Sequence, residues 1–164
     1  MMGLVRAVLL MAVVLGASGC ASKFKTYTGP EVTQVQLFKG SRRMYLMHHD
    51  QVLKAYEVDL GFQPVGHKFR EGDGRTPEGI YLLDRRNPNS DYHLSIGLNY
   101  PNAGDVEVAR AAGFSPGGNI FIHGEPRKHR RSRDWTAGCI AVTNAEMEDI
   151  YAMVGDDTPI VVSP

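Results

Sequence analysis

From position 32 onward the apolar residues of this chain recur mostly at every second position in short runs, the period of strands that bury one face. Val35 and Leu37 alternate with polar neighbours inside 32–38, Met44 and Leu46 do so inside 43–48, and a third run covers 52–60. Lys39-Gly40-Ser41 and His49-Asp50-Gln51 separate these runs as turns, so this part of the chain predicts a β-meander. Residues 61–79 are rich in Gly and Pro and read as loop. Strands resume at 80–83 and 93–98, and the turn 100–104 leads to a short helix over 105–112. An apolar strand, Ile120 to Ile122, then delivers the pair His123-Gly124; after a basic, polar loop, Thr136-Ala137-Gly138-Cys139 enters a second apolar segment at 140–142. Met147, Ile150, Tyr151 and Val154 follow at helical spacing behind a capping box of Thr143 and Glu146, and Gly155 marks the end of that helix. A last strand covers 158–162. Strands dominate and two helices accompany them, which predicts a β-rich sandwich.

Composition narrows the chemistry. With 18 basic and 18 acidic residues the formal charge is zero, and nothing in it points to a nucleic-acid partner. The 164 residues suffice for one domain, over 32–164, once the first stretch is set aside. Residues 1–19 read as a leader: one charge at Arg6, an apolar run over 7–15 shorter than the about 20 residues of a bilayer span, then small residues. Ala17-Ser18-Gly19-Cys20 resembles a bacterial lipobox, which would make Cys20 the lipidated first residue of the mature chain, 20–31 a tether, and the membrane a partner through the anchor. Ala21 after that cysteine, by similarity to Gram-negative lipoproteins, implies the periplasm and the outer membrane. The other reading is ordinary signal cleavage nearby, with Cys20 free or removed.

Of the two cysteines, the lipobox reading uses one, and Cys139 is left without a disulfide partner in an oxidising compartment. A thiol and an imidazole on neighbouring strands are what a cysteine nucleophile requires, because the thiolate is the reactive form and the imidazole takes its proton or holds it as an ion pair. Cys139 and His123 are therefore the candidate catalytic pair. The N–H groups of Gly138 and Cys139 are candidate oxyanion donors, and Asp134 is a candidate third member orienting the ring. The six histidines raise metal binding. However, His48 and His49 alternate along a strand and so face opposite sides, and no Cys or carboxylate cluster has zinc spacing, so neither metal nor cofactor is expected. His67 reads as an exposed loop residue and His93 as one on the sheet surface.

The His-Gly pair, a loop, then Thr136-Ala137-Gly138-Cys139 resembles the YkuD-type L,D-transpeptidase catalytic domain of bacterial cell-wall enzymes. So do Gly61-Phe62-Gln63-Pro64-Val65-Gly66-His67-Lys68, Gly72-Asp73-Gly74-Arg75-Thr76-Pro77-Glu78-Gly79-Ile80-Tyr81, Tyr100-Pro101-Asn102 and Ser115-Pro116-Gly117-Gly118. The likeness extends over about 32–162 and implies that family's β-sandwich of mixed sheets with one or two short helices. It implies acyl transfer through a thioester, from a peptidoglycan tetrapeptide stem to an amine, with the Gly124 carbonyl orienting His123 in place of Asp134. It also gives the basic loop a meaning: stem peptides carry carboxylates, and Arg133, with Arg75 of the loop 61–79, is suited to gripping them. Thr136 would support the turn or the acceptor. Two departures bear on the outcome of the reaction. Ala137 stands where family members often carry His, and Ile140-Ala141-Val142-Thr143-Asn144 where many carry Arg or Asn soon after the cysteine. The latter form is similar to a subgroup that includes a hydrolase releasing lipoprotein from peptidoglycan. Hydrolysis at the same site, with a wall-anchored lipoprotein or a stem peptide as substrate, and a non-catalytic peptidoglycan-binding lipoprotein therefore stand as alternatives.

Overall fold

The computed structural model describes residues 22–126 and 132–164; the leader, Cys20 and the basic run 127–131 lie outside the described residues. Among the described residues the strands are β1 (Gln34–Phe38), β2 (Arg43–His48), β3 (Gln51–Glu57), β4 (Gly79–Asn87), β5 (Ser95–Leu98), β6 (Phe121–His123), β7 (Ile140–Ala141) and β8 (Thr158–Ser163). The helices are α1 (Ala103–Ala111) and α2 (Asn144–Met153). The strands form one curled mixed sheet in the order β3-β2-β1-β8-β4-β5-β6-β7, with β1–β8 and β6–β7 parallel and the other pairs antiparallel. The curl nearly closes it. Just past β3, Asp59 pairs antiparallel with Ala141 of β7 through bonds of 2.9 and 2.8 Å, so the two edges of the sheet meet and β7 is not left open.

Alternation drives the strands. Val35 and Leu37 of β1, Met44 and Leu46 of β2, and Ile160 and Val162 of β8 point into one core, which Met147 and Ile150 of α2 complete. β5 is buried on both faces, unlike its neighbours, because Arg85 crosses Gly97: a Cβ there would lie 2.9 Å from the guanidinium and 2.9 Å from Phe121. That guanidinium donates to the Leu98 carbonyl at 2.6 Å and lies 5.5 Å from the Phe121 ring, propping it.

The meander, both helices and the capping box of Thr143 and Glu146 stand where the pattern predicts them. The differences have physical causes. β4 runs on to Asn87 because Arg85, Arg86 and Asn87 pair with β5 through main-chain bonds that polar side chains do not advertise. β5 starts at Ser95 rather than 93, since His93 adopts φ 71° and sends its ring to Glu148 at 2.9 Å instead of lying on the sheet surface. His49, with φ 54°, is already in the turn, so the strand alternation does not apply and its ring lies 4.5 Å from that of His48 rather than on the opposite side. Helix α1 starts at Ala103, behind a second capping box of Asn102 and Asp105. Helix α2 ends at an extended Val154 rather than a left-handed glycine, and Arg86 donates to the freed carbonyls of Tyr151 and Val154. Among the described residues no helix is long and apolar enough to cross a membrane.

Candidate active site

Register places the two candidate groups. Ile122 of β6 pairs with Ile140 of β7, and both are fully buried in the core. Alternation therefore turns Phe121 and His123 to the other face of the sheet. Cys139, one residue before Ile140 in a parallel pair, turns the same way. His123 and Cys139 thus become diagonal neighbours on one face, and both line a cavity of about 550 Å³ whose walls include Tyr92, Asn119, Phe121 and Trp135.

His123 is 4% exposed, and its Nδ1 lies 2.6 Å from the Gly124 carbonyl. A carbonyl only accepts, so Nδ1 carries the proton and Nε2 is the basic nitrogen. Burial pulls the imidazole below its ordinary pKa, and the bond to Gly124 opposes this in part. The ring is held between aromatic neighbours, with Tyr92 at 4.5 Å and Trp135 at 5.6 Å between centroids. Asp134 does not orient it: that carboxylate bonds to Arg42 at 2.7 Å and accepts the Leu60 N–H at 3.0 Å.

The Cys139 thiol donates to the Asn119 carbonyl at 3.4 Å. Burial raises its pKa, with the Phe121 N–H and the charge of Lys68 acting the other way. A thiol pushed up and an imidazole pushed down leave both groups neutral at rest. Alkylation of Cys139 by iodoacetamide is therefore expected to keep accelerating into the alkaline range, past the ordinary thiol value of about 8.5, and to slow about tenfold or more in His123→Ala. A rate that levels off by about pH 6 would instead mean a preformed ion pair.

The turn before Cys139 is fixed from both sides. The Thr136 hydroxyl donates to the Cys139 carbonyl at 2.8 Å and accepts the Gly138 N–H at 3.1 Å, so Thr136 supports the turn. One of the two expected oxyanion donors, the Gly138 N–H, is thereby engaged within the turn. Gly138 has φ 135°, and a Cβ there would lie 2.6 Å from the Arg75 carbonyl. The main chain of Arg75 is thus what the turn rests on, while its side chain lies 5.6 Å from the Phe69 ring and does not line the Cys139 cavity. Gly138→Ala is expected to lower stability by about 2–3 kcal/mol in urea unfolding and to slow Cys139 alkylation, through left-handed strain and that collision. An unchanged urea midpoint would count against it.

The loop beneath is stapled by Asp73, which accepts from Lys68 Nζ at 2.8 Å and from the N–H groups of Phe69, Arg70 and Arg75. Burial alone would raise the Asp73 carboxyl; the Lys68 ammonium and the three amides outweigh it and hold it below the usual carboxylate range. His67, with its side chain 36% exposed, is also tied to the framework: Nδ1 lies 3.0 Å from both the N–H and the carbonyl of Glu78, and Nε2 lies 3.4 Å from Asp105. Arg133 pairs with Glu57 at 2.5 Å and lines a separate hollow beyond Trp135. Among the described residues no three His, Cys, Asp or Glu side chains gather as a metal site.

Sequence reading missed Tyr92, Asn119, Phe121 and Trp135. A lone tryptophan next to Thr136 and a tyrosine inside the polar run Asn89-Ser90-Asp91-Tyr92 were the available signals, since large aromatics in polar loops tend to cover something.

The model of the YkuD L,D-transpeptidase catalytic domain matches residues 33–162. Over 126 residues the chain is 32% identical to the Escherichia coli (strain K12) protein named "Putative L,D-transpeptidase YafK", which covers 73% of this chain and 46% of that protein. The chain thus spans about half the length of the curated relatives it matches. The crystal structure of the helical cell shape determining protein Pgp2 from Campylobacter jejuni superposes with a TM-score of 0.64 at 28% identity, over 88% of this chain and 51% of that one. Mycobacterium tuberculosis L,D-transpeptidase 1 shares the fold, with a TM-score of 0.53 at 12% identity over 82% of this chain and 62% of that one.

Proposed function

The chain belongs to the YkuD L,D-transpeptidase catalytic-domain family, and on that premise we propose that it is a peptidoglycan acyltransferase with Cys139 as nucleophile. The observation that carries the reading is the meeting of Cys139 and a His123 of fixed tautomer on one face, in one cavity. Nε2 of His123 takes the thiol proton as Sγ attacks the carbonyl of the third stem residue, the meso-diaminopimelate position. The Cys139 N–H stabilises the oxyanion, the donor of the pair that Thr136 does not use. The imidazolium then gives its proton to the departing D-Ala amine, leaving a thioester. An acceptor amine attacks that thioester, loses its proton to Nε2 and releases the thiolate. In this reading Ala17-Ser18-Gly19-Cys20 supplies a lipid anchor, and the enzyme works in the periplasm at the outer membrane.

Hydrolysis at the same cysteine is the second reading, favoured by the form Gly138-Cys139-Ile140-Ala141-Val142-Thr143-Asn144. Water then replaces the amine. The test is incubation with purified sacculi and with disaccharide-tetrapeptide, products read by mass spectrometry. Dimers joined between two diaminopimelate residues are the expected result. Tripeptides or released lipoprotein without new dimers would select hydrolysis, and no product with either substrate would overturn both.

A further inference from the structure

The segment 22–30 contains no strand or helix, and its sequence reads as a tether, yet it is fastened to the domain at three points. Lys23 Nζ donates to the Pro88 carbonyl at 2.7 Å and to the His93 carbonyl at 3.0 Å. Lys25 Nζ donates to the Ala145 carbonyl at 3.2 Å and pairs with Asp149 at 2.7 Å, on the first turns of α2. Tyr27 packs against the core.

The first of these contacts bears on the site. Pro88 opens the connection between β4 and β5 and His93 lies one residue before its close, and one ammonium spans them. Within the connection the bonds are local, Asn89 N–H to Asn87, Tyr92 N–H to Ser90 and Leu94 N–H to Tyr92; the His93 ring ties its later part to Glu148 at 2.9 Å, and Lys23 joins that part to the start at Pro88. The far side of the connection carries Tyr92, whose ring lies 4.5 Å from the His123 imidazole and whose carbonyl accepts the N–H of Gly124 at 3.1 Å. Gly124 in turn holds Nδ1 of His123. The shape of this connection therefore reaches the imidazole twice, by ring contact and through the main chain.

We propose that Lys23 is a positioning residue for the Cys139 site: its ammonium clips Pro88 to His93 across the connection and so keeps Tyr92 seated on His123. The inference rests on the reading that His123 and Cys139 are the reacting pair. Lysine suits the task because one point charge with three donors can satisfy two carbonyls that face each other across a gap. The tether proper then ends before Lys23, and the strap that follows it is part of the working domain.

The experiment compares Lys23→Met, which keeps the length and removes the donors, with Lys23→Arg, which keeps donors and charge, in the full chain. Trp135 is the chain's single tryptophan and stands 5.6 Å from His123, so its emission, quenched by a neighbouring imidazolium, reports protonation of that ring. His123→Gln removes this titration and assigns it. Asp91, Tyr92 and Cys139 are the titratable groups that share the cavity with the imidazole. In Lys23→Met the midpoint should move up by about half a pH unit or more, as water reaches a ring that burial had kept neutral. Turnover of disaccharide-tetrapeptide should fall about tenfold in kcat with KM little changed, and Lys23→Arg should restore both. An unmoved midpoint and unchanged kcat in Lys23→Met would overturn the proposal. So would equal impairment in both variants accompanied by an equal drop in Tm, since that reports a fold contact only. The emission titration needs no substrate, so it tests the clip even if the Cys139→Ala variant keeps its turnover and the acyl-transfer reading falls.

Discussion

Replacing Cys139 by alanine is expected to lower turnover of the tetrapeptide stem by at least ~10⁴-fold, the scale seen when a covalent nucleophile is removed, while the fold persists. The thiol is only partly exposed, and its hydrogen bonds, to the Asn119 carbonyl and from the Phe121 N–H, are weak sulfur contacts, so its loss should change unfolding free energy by less than about 1 kcal/mol. Cys139→Ser sharpens the test. A serine hydroxyl is far less acidic than a thiol, and burial has already made His123 a weaker base than free imidazole. The serine variant should therefore be nearly as inactive as the alanine one despite being almost the same shape. Turnover retained in Cys139→Ala, measured on disaccharide-tetrapeptide by mass spectrometry, would remove Cys139 from the mechanism. Turnover retained in Cys139→Ser would show that His123 is base enough to activate an alcohol and that the low basicity given to it by burial is not limiting.

The largest stability effect is expected at Lys39, in the turn between β1 and β2. Its side chain is 2% exposed, and Nζ donates to the Gly66 carbonyl at 2.6 Å, the Thr76 carbonyl at 2.8 Å and the Glu78 carboxylate at 2.8 Å. All three donors of the ammonium are matched, two of them by the main chain of the loop on which the Cys139 turn rests. Lys39→Met keeps the volume but leaves those acceptors, one of them a carboxylate, without a donor. The expected loss is about 3–5 kcal/mol in urea unfolding, the range for breaking one side of a buried ion pair. Lys39→Met combined with Glu78→Gln should recover part of it, because the stranded charge is then gone. A urea midpoint like the parent's in the single variant would show that the loop holds without the lysine. Since the loop carries Arg75 and so supports Gly138, alkylation of Cys139 should also slow in the single variant and recover in the double.

Different parts of the molecule were legible in different degree. The meander was readable because Val35, Leu37, Met44 and Leu46 keep strict alternation with turns of plain chemistry between them. The capping box at Thr143 and the stripe of Met147 and Ile150 fixed α2 to within a residue at its start. Lys39 was the opposite case. A lysine beside a glycine in a predicted turn reads as solvated, and only the return of the loop over it makes the site a buried one. Arg133 reads as a substrate contact from its place between the two candidate groups, yet the fold sends its guanidinium to Glu57, outside the Cys139 cavity.

By itself, the sequence determined the strand pattern and singled out the candidate thiol and imidazole with a glycine next to each, because these follow from local periodicity and from which side chains can do the chemistry. Tertiary structure alone decided that Ile122 and Ile140 pair in parallel, which puts His123 and Cys139 on one face, and that Tyr92 and Trp135 enclose the imidazole. It also decided that Gly138 has room only for hydrogen against the Arg75 carbonyl, and that Lys23 reaches back to the connection carrying Tyr92. Register, burial and the approach of one backbone to another are relations between segments distant in the chain, and no local pattern encodes them.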